Sequence, residues 1–290
     1  MEYSKVGTSA FIALGLGEVL FFLVPIGIAL FWLIKKKERI TTVLVGAAVF
    51  FLFVVILEKP IQNVLIFPTQ MGLPDHSLSR YINARPFLWA FLVGLFPGVF
   101  EETGRLLAFK TVLKKRRNRE TSISYGIGHG CFEVILYLGI TYATYISYAV
   151  MINSGTFQII VDQVAEQAPD QVDLLKTLAN QIASLTFADI GLAFVERFFA
   201  VLFHIGASIL VFYACREKKK VWLYPLAVIL HTAMDFVAGL SMTEVFNPSM
   251  FELELIVAVF GILTFCAAYF LLYKKDKEKD LEISARPLTE

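Results

Sequence analysis

Apolar runs recur along the chain at 8–34, 40–57, 87–109, 122–152, 188–215, 221–241 and 252–273. Each is close to the ~20 residues that a helix needs to cross a bilayer. The pattern predicts an all-α fold, a polytopic bundle of about seven transmembrane helices. The longest connector that also carries helical periodicity, 153–187, has apolar residues at helix spacing on both sides of Pro169. It predicts two short amphipathic helices at the outer surface, acting as a lid or a spacer. The opening stretch, "MEYSKVGTSAFIALGLGEVLFFLVPIGIALFWLIKKKER", has no small-residue cleavage signature and an apolar run too long for a signal peptide, so it is expected to stay as the first span. The expected organisation is one bundle over 1–273, with the chemistry-bearing part at 95–240, followed by a short basic cytoplasmic tail at 274–290.

Composition strengthens this picture. Of 290 residues 57% are hydrophobic and 18% charged, which excludes an ordinary soluble domain. The net charge of +1 gives no reason to expect a nucleic-acid partner; the lipid bilayer is the expected surrounding. Charge distribution adds orientation. "KKKER", "KKRRNR", "REKKK" and "KKDKEK" follow the first, third, fifth and seventh spans, and the other connectors are not basic. By the positive-inside rule the N-terminus lies outside and the C-terminus in the cytoplasm. Cys131, Cys215 and Cys266 fall inside apolar runs without a CxxC pair, so buried thiols are expected rather than disulfides or a cysteine zinc site.

The exceptions to apolarity carry the chemistry. Glu18, Glu101, Glu102, Arg105, Glu133, Glu196, Arg197 and Asp235 all lie within spans. At about 3 kcal/mol each, eight isolated charges would cost on the order of 24 kcal/mol, so they must face one another, water or a cation. Six acids against two arginines leave four carboxylates without a basic partner. Three of the four histidines, His129, His204 and His231, also sit in spans, each on a different helix. At ~1.5 Å per residue, Glu102, His129, Glu133, His204, His231 and Asp235 all lie roughly 10 to 21 Å from the basic ends of their helices. Four helices thus bring polar groups to one layer, in the cytoplasmic half. Glu18, Glu196 and Arg197 fall in the other half, where Glu18 with Arg197 is expected to form a structural pair.

Spacing refines the layer. His129 and Glu133 are four residues apart, as are His231 and Asp235, so each pair shares a helix face, as two ligands or as a histidine tuned by its carboxylate. Glu101 and Arg105 are also four apart, which pairs them and leaves Glu102 for chemistry. The glycines in "PGVFEETG" and "YGIGHG" allow close helix packing beside these groups.

In order along the chain, EExxR at Glu101–Arg105, HGxxE at His129–Glu133, His204 in "FFAVLFHIGAS" and HxxxD at His231–Asp235 resemble the YhfC family of intramembrane metalloproteases. They are more distantly similar to the PrsW proteases and the type II CAAX prenyl endopeptidases. The resemblance covers about 95–240. It implies an endopeptidase that hydrolyses a peptide bond with a glutamate-activated water, acting on a membrane-embedded or membrane-proximal peptide. It assigns catalytic roles to Glu101, Glu102, Arg105, His204, His231 and Asp235; the surplus of carboxylates and histidines adds His129, His204, His231 and Glu133 as candidate metal ligands. Against the CAAX pattern EExxxR, the arginine comes one residue early, so the family analogy favours Glu101 as the base and helix spacing favours Glu102. Charge balance admits Zn²⁺, which would lower the pKa of a bound water to ~7 and polarise the scissile carbonyl; the alternative is a metal-free glutamate protease.

A proton-coupled or metal-ion transporter using the same carboxylates and histidines is the rival from another class, and it would spread polar residues across successive depths. A seven-helix zinc amidase of the ceramidase type would carry HxxxH on its last helix, where this chain has no histidine. A haem bundle would need axial histidine pairs. Nothing in the sequence sets the oligomeric state.

Overall fold

The computed structural model describes residues 3–276; the remainder of the expected tail, 277–290, lies outside the described residues. Ten helices are described, with no strand among the described residues: α1 Thr8–Lys36, α2 Ile40–Ile66, α3 Ser77–Asn83, α4 Pro86–Lys110, α5 Glu120–Ser154, α6 Phe157–Gln167, α7 Val172–Ser184, α8 Phe187–Arg216, α9 Leu223–Ser241 and α10 Met250–Asp276. Six spans are long and apolar enough to cross a membrane, and the pair α3 and α4, bent by 106° at its break, makes seven. Pro86 opens α4, where a missing N–H is tolerated, and Ser249 with Glu252 forms a capping box at the start of α10.

The second span is longer than its apolar run suggests. It continues through a π-helical stretch, Phe51–Glu58, into Lys59–Ile66. The sequence "EKP" reads as a connector, but the wider turn accommodates Pro60 and carries Glu58 into the buried interior. The 153–187 segment forms α6 and α7 on either side of a 3₁₀ turn at Pro169–Gln171, as its periodicity predicts.

The chain divides into two compact units, 1–28 with 133–197, and 29–132 with 198–290. In the first, Phe21 packs on Tyr142 at 5.0 Å between ring centroids. The residues before α1 are tied down: Asn153 accepts from the Val6 N–H at 2.9 Å and donates to its carbonyl at 2.8 Å, and Tyr3 lies edge-on to Phe157 at 5.4 Å.

In the second unit, glycine sets the helix spacing. A Cβ at Gly98 of α4 would meet Thr232 of α9, and one at Gly128 of α5 would run into the Val43 backbone of α2. At Gly126 it would lie 2.7 Å from the Ile205 Cα of α8. Small residues let these backbones touch, and the polar side chains beside them are thereby drawn together.

Candidate active site

Four helices of the second unit supply the cluster. Glu101, Glu102 and Arg105 come from α4, His129 from α5, His204 from α8, and His231 with Asp235 from α9. Glu102, Arg105 and His129 are fully buried, and Glu101, His204 and His231 are nearly so. In a setting this apolar, such groups stay together only by satisfying one another.

Two centres organise them. The first is the Glu101 carboxylate. Its Oε2 lies 2.8 Å from His129 Nε2, 3.8 Å from His204 Nδ1 and 4.0 Å from His231 Nε2. The second is Glu102, whose Oε1 is in close contact with Arg105 Nη1 and accepts from His231 Nδ1 at 2.9 Å. Helix spacing alone would pair Arg105 with Glu101, four residues back. The structure instead gives the guanidinium's ion pair to Glu102, three residues back, because α9 presents His231 on that same side and the two hold one carboxylate between them.

His231 donates from Nδ1 to Glu102 and turns its Nε2 toward Glu101 and toward Asp235 Oδ2, 3.5 Å away. Arg105 Nη2 stands 3.3 Å from His204 Nδ1, so the guanidinium reaches from Glu102 to a second histidine of the cluster. His129 and His204 rings are 4.9 Å apart, and His204 and His231 rings 5.4 Å. Phe50 lies edge-on to His129, and Phe203 edge-on to His231, walling the rings in apolar surface.

Glu101, His204 and His231 each offer one ligand atom, and these atoms all lie within 4.8 Å of one another. With metal–ligand bonds near ~2.1 Å, tetrahedral donors stand about 3.4 Å apart, so separations of 3.8 and 4.0 Å need only a small inward adjustment. A carboxylate with two imidazoles is also zinc's donor chemistry. The buried residues therefore fit a metal ion.

Asp235 is the most exposed member of the cluster, its side chain 28% exposed. Glu133, four residues beyond His129, belongs to the first unit and pairs with Arg197 at 3.0 Å. Arg197 also contacts Glu196. The expected pair of Glu18 with Arg197 is thus replaced by Glu133 and Glu196, and Glu18 Oε2 has no hydrogen-bond partner among the described residues.

Two buried groups escaped the sequence reading. Tyr125 of α5 is fully buried with no partner for its hydroxyl among the described residues, 6.1 Å from His129 between ring centroids. Its position four residues before His129 was the available signal. Glu58 is also fully buried, and its one described ion pair is to Lys59 at 3.3 Å. It was hidden by reading "EKP" as the end of the span.

The model of the family described as YhfC intramembrane metalloprotease matches residues 20–272. Over 263 residues the chain is 30% identical to a protein of Bacillus subtilis (strain 168) named "Uncharacterized membrane protein YhfC", covering 89% of this chain and 95% of that one. No solved structure matches. A helical multi-pass membrane protein with a buried carboxylate and histidine group, matched over nearly its whole length, this chain belongs to the YhfC intramembrane metalloprotease family.

Proposed function

We propose that the chain is a membrane-embedded endopeptidase in which Glu101 takes the proton of the attacking water and Glu102 holds the machinery in place. One observation carries this reading: Glu102 Oε1 is engaged by both Arg105 and His231, while Glu101 Oε2 faces three imidazoles. A carboxylate neutralised by a guanidinium is a poor base; one without an arginine on it is the better proton acceptor.

His204 and His231, two of the three groups whose ligand atoms lie within 4.8 Å of one another, would hold a divalent ion. Zn²⁺ is the ion that these nitrogen and oxygen donors suit best. When bound, it supplies a Lewis acid for the water and for the scissile carbonyl. His129, donating Nε2–H to Glu101, orients the carboxylate and keeps it ionised until it takes the proton. That proton then passes to the leaving amine from Glu101, as general acid. Glu102 fixes the His231 tautomer, and Arg105 stabilises Glu102.

The substrate in this reading is a membrane-embedded or membrane-proximal peptide, and the cluster lies in the cytoplasmic half of the bundle, N-terminus outside. The four basic connectors support the orientation. The test is cleavage of membrane-derived peptides by the purified protein, with Glu101→Gln, Glu102→Gln, His204→Ala and His231→Ala as variants. Undiminished cleavage in all four removes the site assignment. Substrate-independent proton or metal flux that depends on these residues replaces the protease with the transporter.

A further inference from the structure

Away from the cluster, the turn joining α1 to α2 and the turn joining α4 to α5 close around a cavity of about 660 Å³. Lys37, Arg39, Lys115, Arg116 and Arg117 line it with one acid, Glu38. That acid is already occupied, accepting from Asn118 and, at 3.3 Å, from the Ser124 hydroxyl. Arg116 is likewise fixed, donating to Thr42 and, at 2.6 Å, to Thr41. These bonds build the wall. Lys37, Arg39, Lys115 and Arg117 are left without an ion pair among the described residues.

The backbone adds an independent sign. Lys37 has φ 53°, the left-handed conformation that normally selects glycine at a helix C-terminus. The Glu38 N–H reaches back to the Leu33 carbonyl at 3.2 Å, the bond that marks such a terminus. A lysine in a conformation that glycine adopts more easily holds its charge at this wall at a cost in backbone strain.

A second concavity, of about 210 Å³, shares Arg116 and Arg117 with the first. Its rim carries Lys110, Lys114 and Arg216, and its lining includes Phe109, Leu113 and Phe212. Cations beside apolar lining residues suit an amphiphile better than a free anion. Turns at the ends of membrane-spanning helices also stand at headgroup level.

We propose that this paired basic pocket binds the phosphate of an anionic phospholipid, the headgroup between Lys37, Arg39, Lys115 and Arg117 and the glycerol end toward Phe109 and Phe212. Ordinary topogenic charge needs only to lie on the right side of the membrane; it needs neither a concave wall nor a left-handed lysine.

The test uses the full-length protein in neutral detergent, titrated with short-chain phosphatidylglycerol, short-chain phosphatidylcholine or inorganic phosphate, with binding read from the shift in thermal midpoint. Phosphatidylglycerol is expected to bind about tenfold or more tightly than either alternative, and Lys115→Ala with Arg117→Ala to lose about that factor. Lys219→Ala with Lys220→Ala, on a different basic turn, should bind as the unaltered chain does. Lys37→Gly guards against misfolding, because glycine adopts φ 53° freely: it should leave the lipid-free midpoint unchanged or raised and still weaken binding. Equal binding of both lipids, equal binding of inorganic phosphate, or unaltered affinity in the Lys115/Arg117 and Lys37 variants would overturn the proposal.

Discussion

Arg105 is the residue on which the cluster's division of labour turns. Fully buried, it is paired to Glu102 and lies 3.3 Å from His204, so removing it strands a carboxylate in the interior. Arg105→Ala should therefore destabilise the protein by about 3–5 kcal/mol, and adding Glu102→Gln should recover much of that, measured by thermal denaturation in detergent. Glu102→Gln alone should keep part of the activity while weakening metal affinity roughly 10- to 100-fold, the usual effect of disturbing a ligand's hydrogen-bonded support. Two neighbouring glutamates differ by only ~100° around a helix, and a long arginine reaches either. The sequence could place both in the layer but could not say which one Arg105 holds. His231, arriving from α9, decides it, and that is a property of packing between helices distant in sequence.

At the scale of elements, close backbone approach positions the histidines. Gly128, beside His129, lies against the Val43 backbone with no room for a Cβ, whereas Gly15 of α1 has nothing within 4 Å of where a Cβ would stand. Gly128→Ala should lower the thermal midpoint, with an overpacking cost of about 1–3 kcal/mol. Gly15→Ala should leave the midpoint unchanged or raise it, with a stability gain of up to about 1 kcal/mol through helix propensity. Differential scanning of the two variants in the same detergent separates these outcomes. The spans were legible because bilayer thickness fixes the length of an apolar run, and α6 and α7 because helical periodicity survives around Pro169. The extension of α2 to Ile66 was not, since lysine followed by proline is a sound stop signal that the π-helical turn overrides. Glu58 and its burial were lost with it. Spacing sets Glu133 one turn from His129, and its pair with Arg197 is a contact that spacing along one helix does not reveal.

For the whole molecule, the expected orientation places the turns at 37–39 and 111–119 on one side of the membrane and the segment 153–187 on the other. Cysteine-substituted positions in these segments should label from opposite faces of inverted and right-side-out vesicles; labelling from one face would contradict the topology. Metal removal by a strong chelator should abolish cleavage, and added Zn²⁺ should restore it. The most direct measurement of the central claim pairs metal content with peptide cleavage in purified Glu101→Gln. Bound metal should stay close to the unaltered level while cleavage falls by at least about a hundredfold, as for loss of a general base. Loss of the metal in Glu101→Gln would make Glu101 a ligand instead, and cleavage surviving in Glu101→Gln while lost in Glu102→Gln would reverse the roles assigned to the two glutamates.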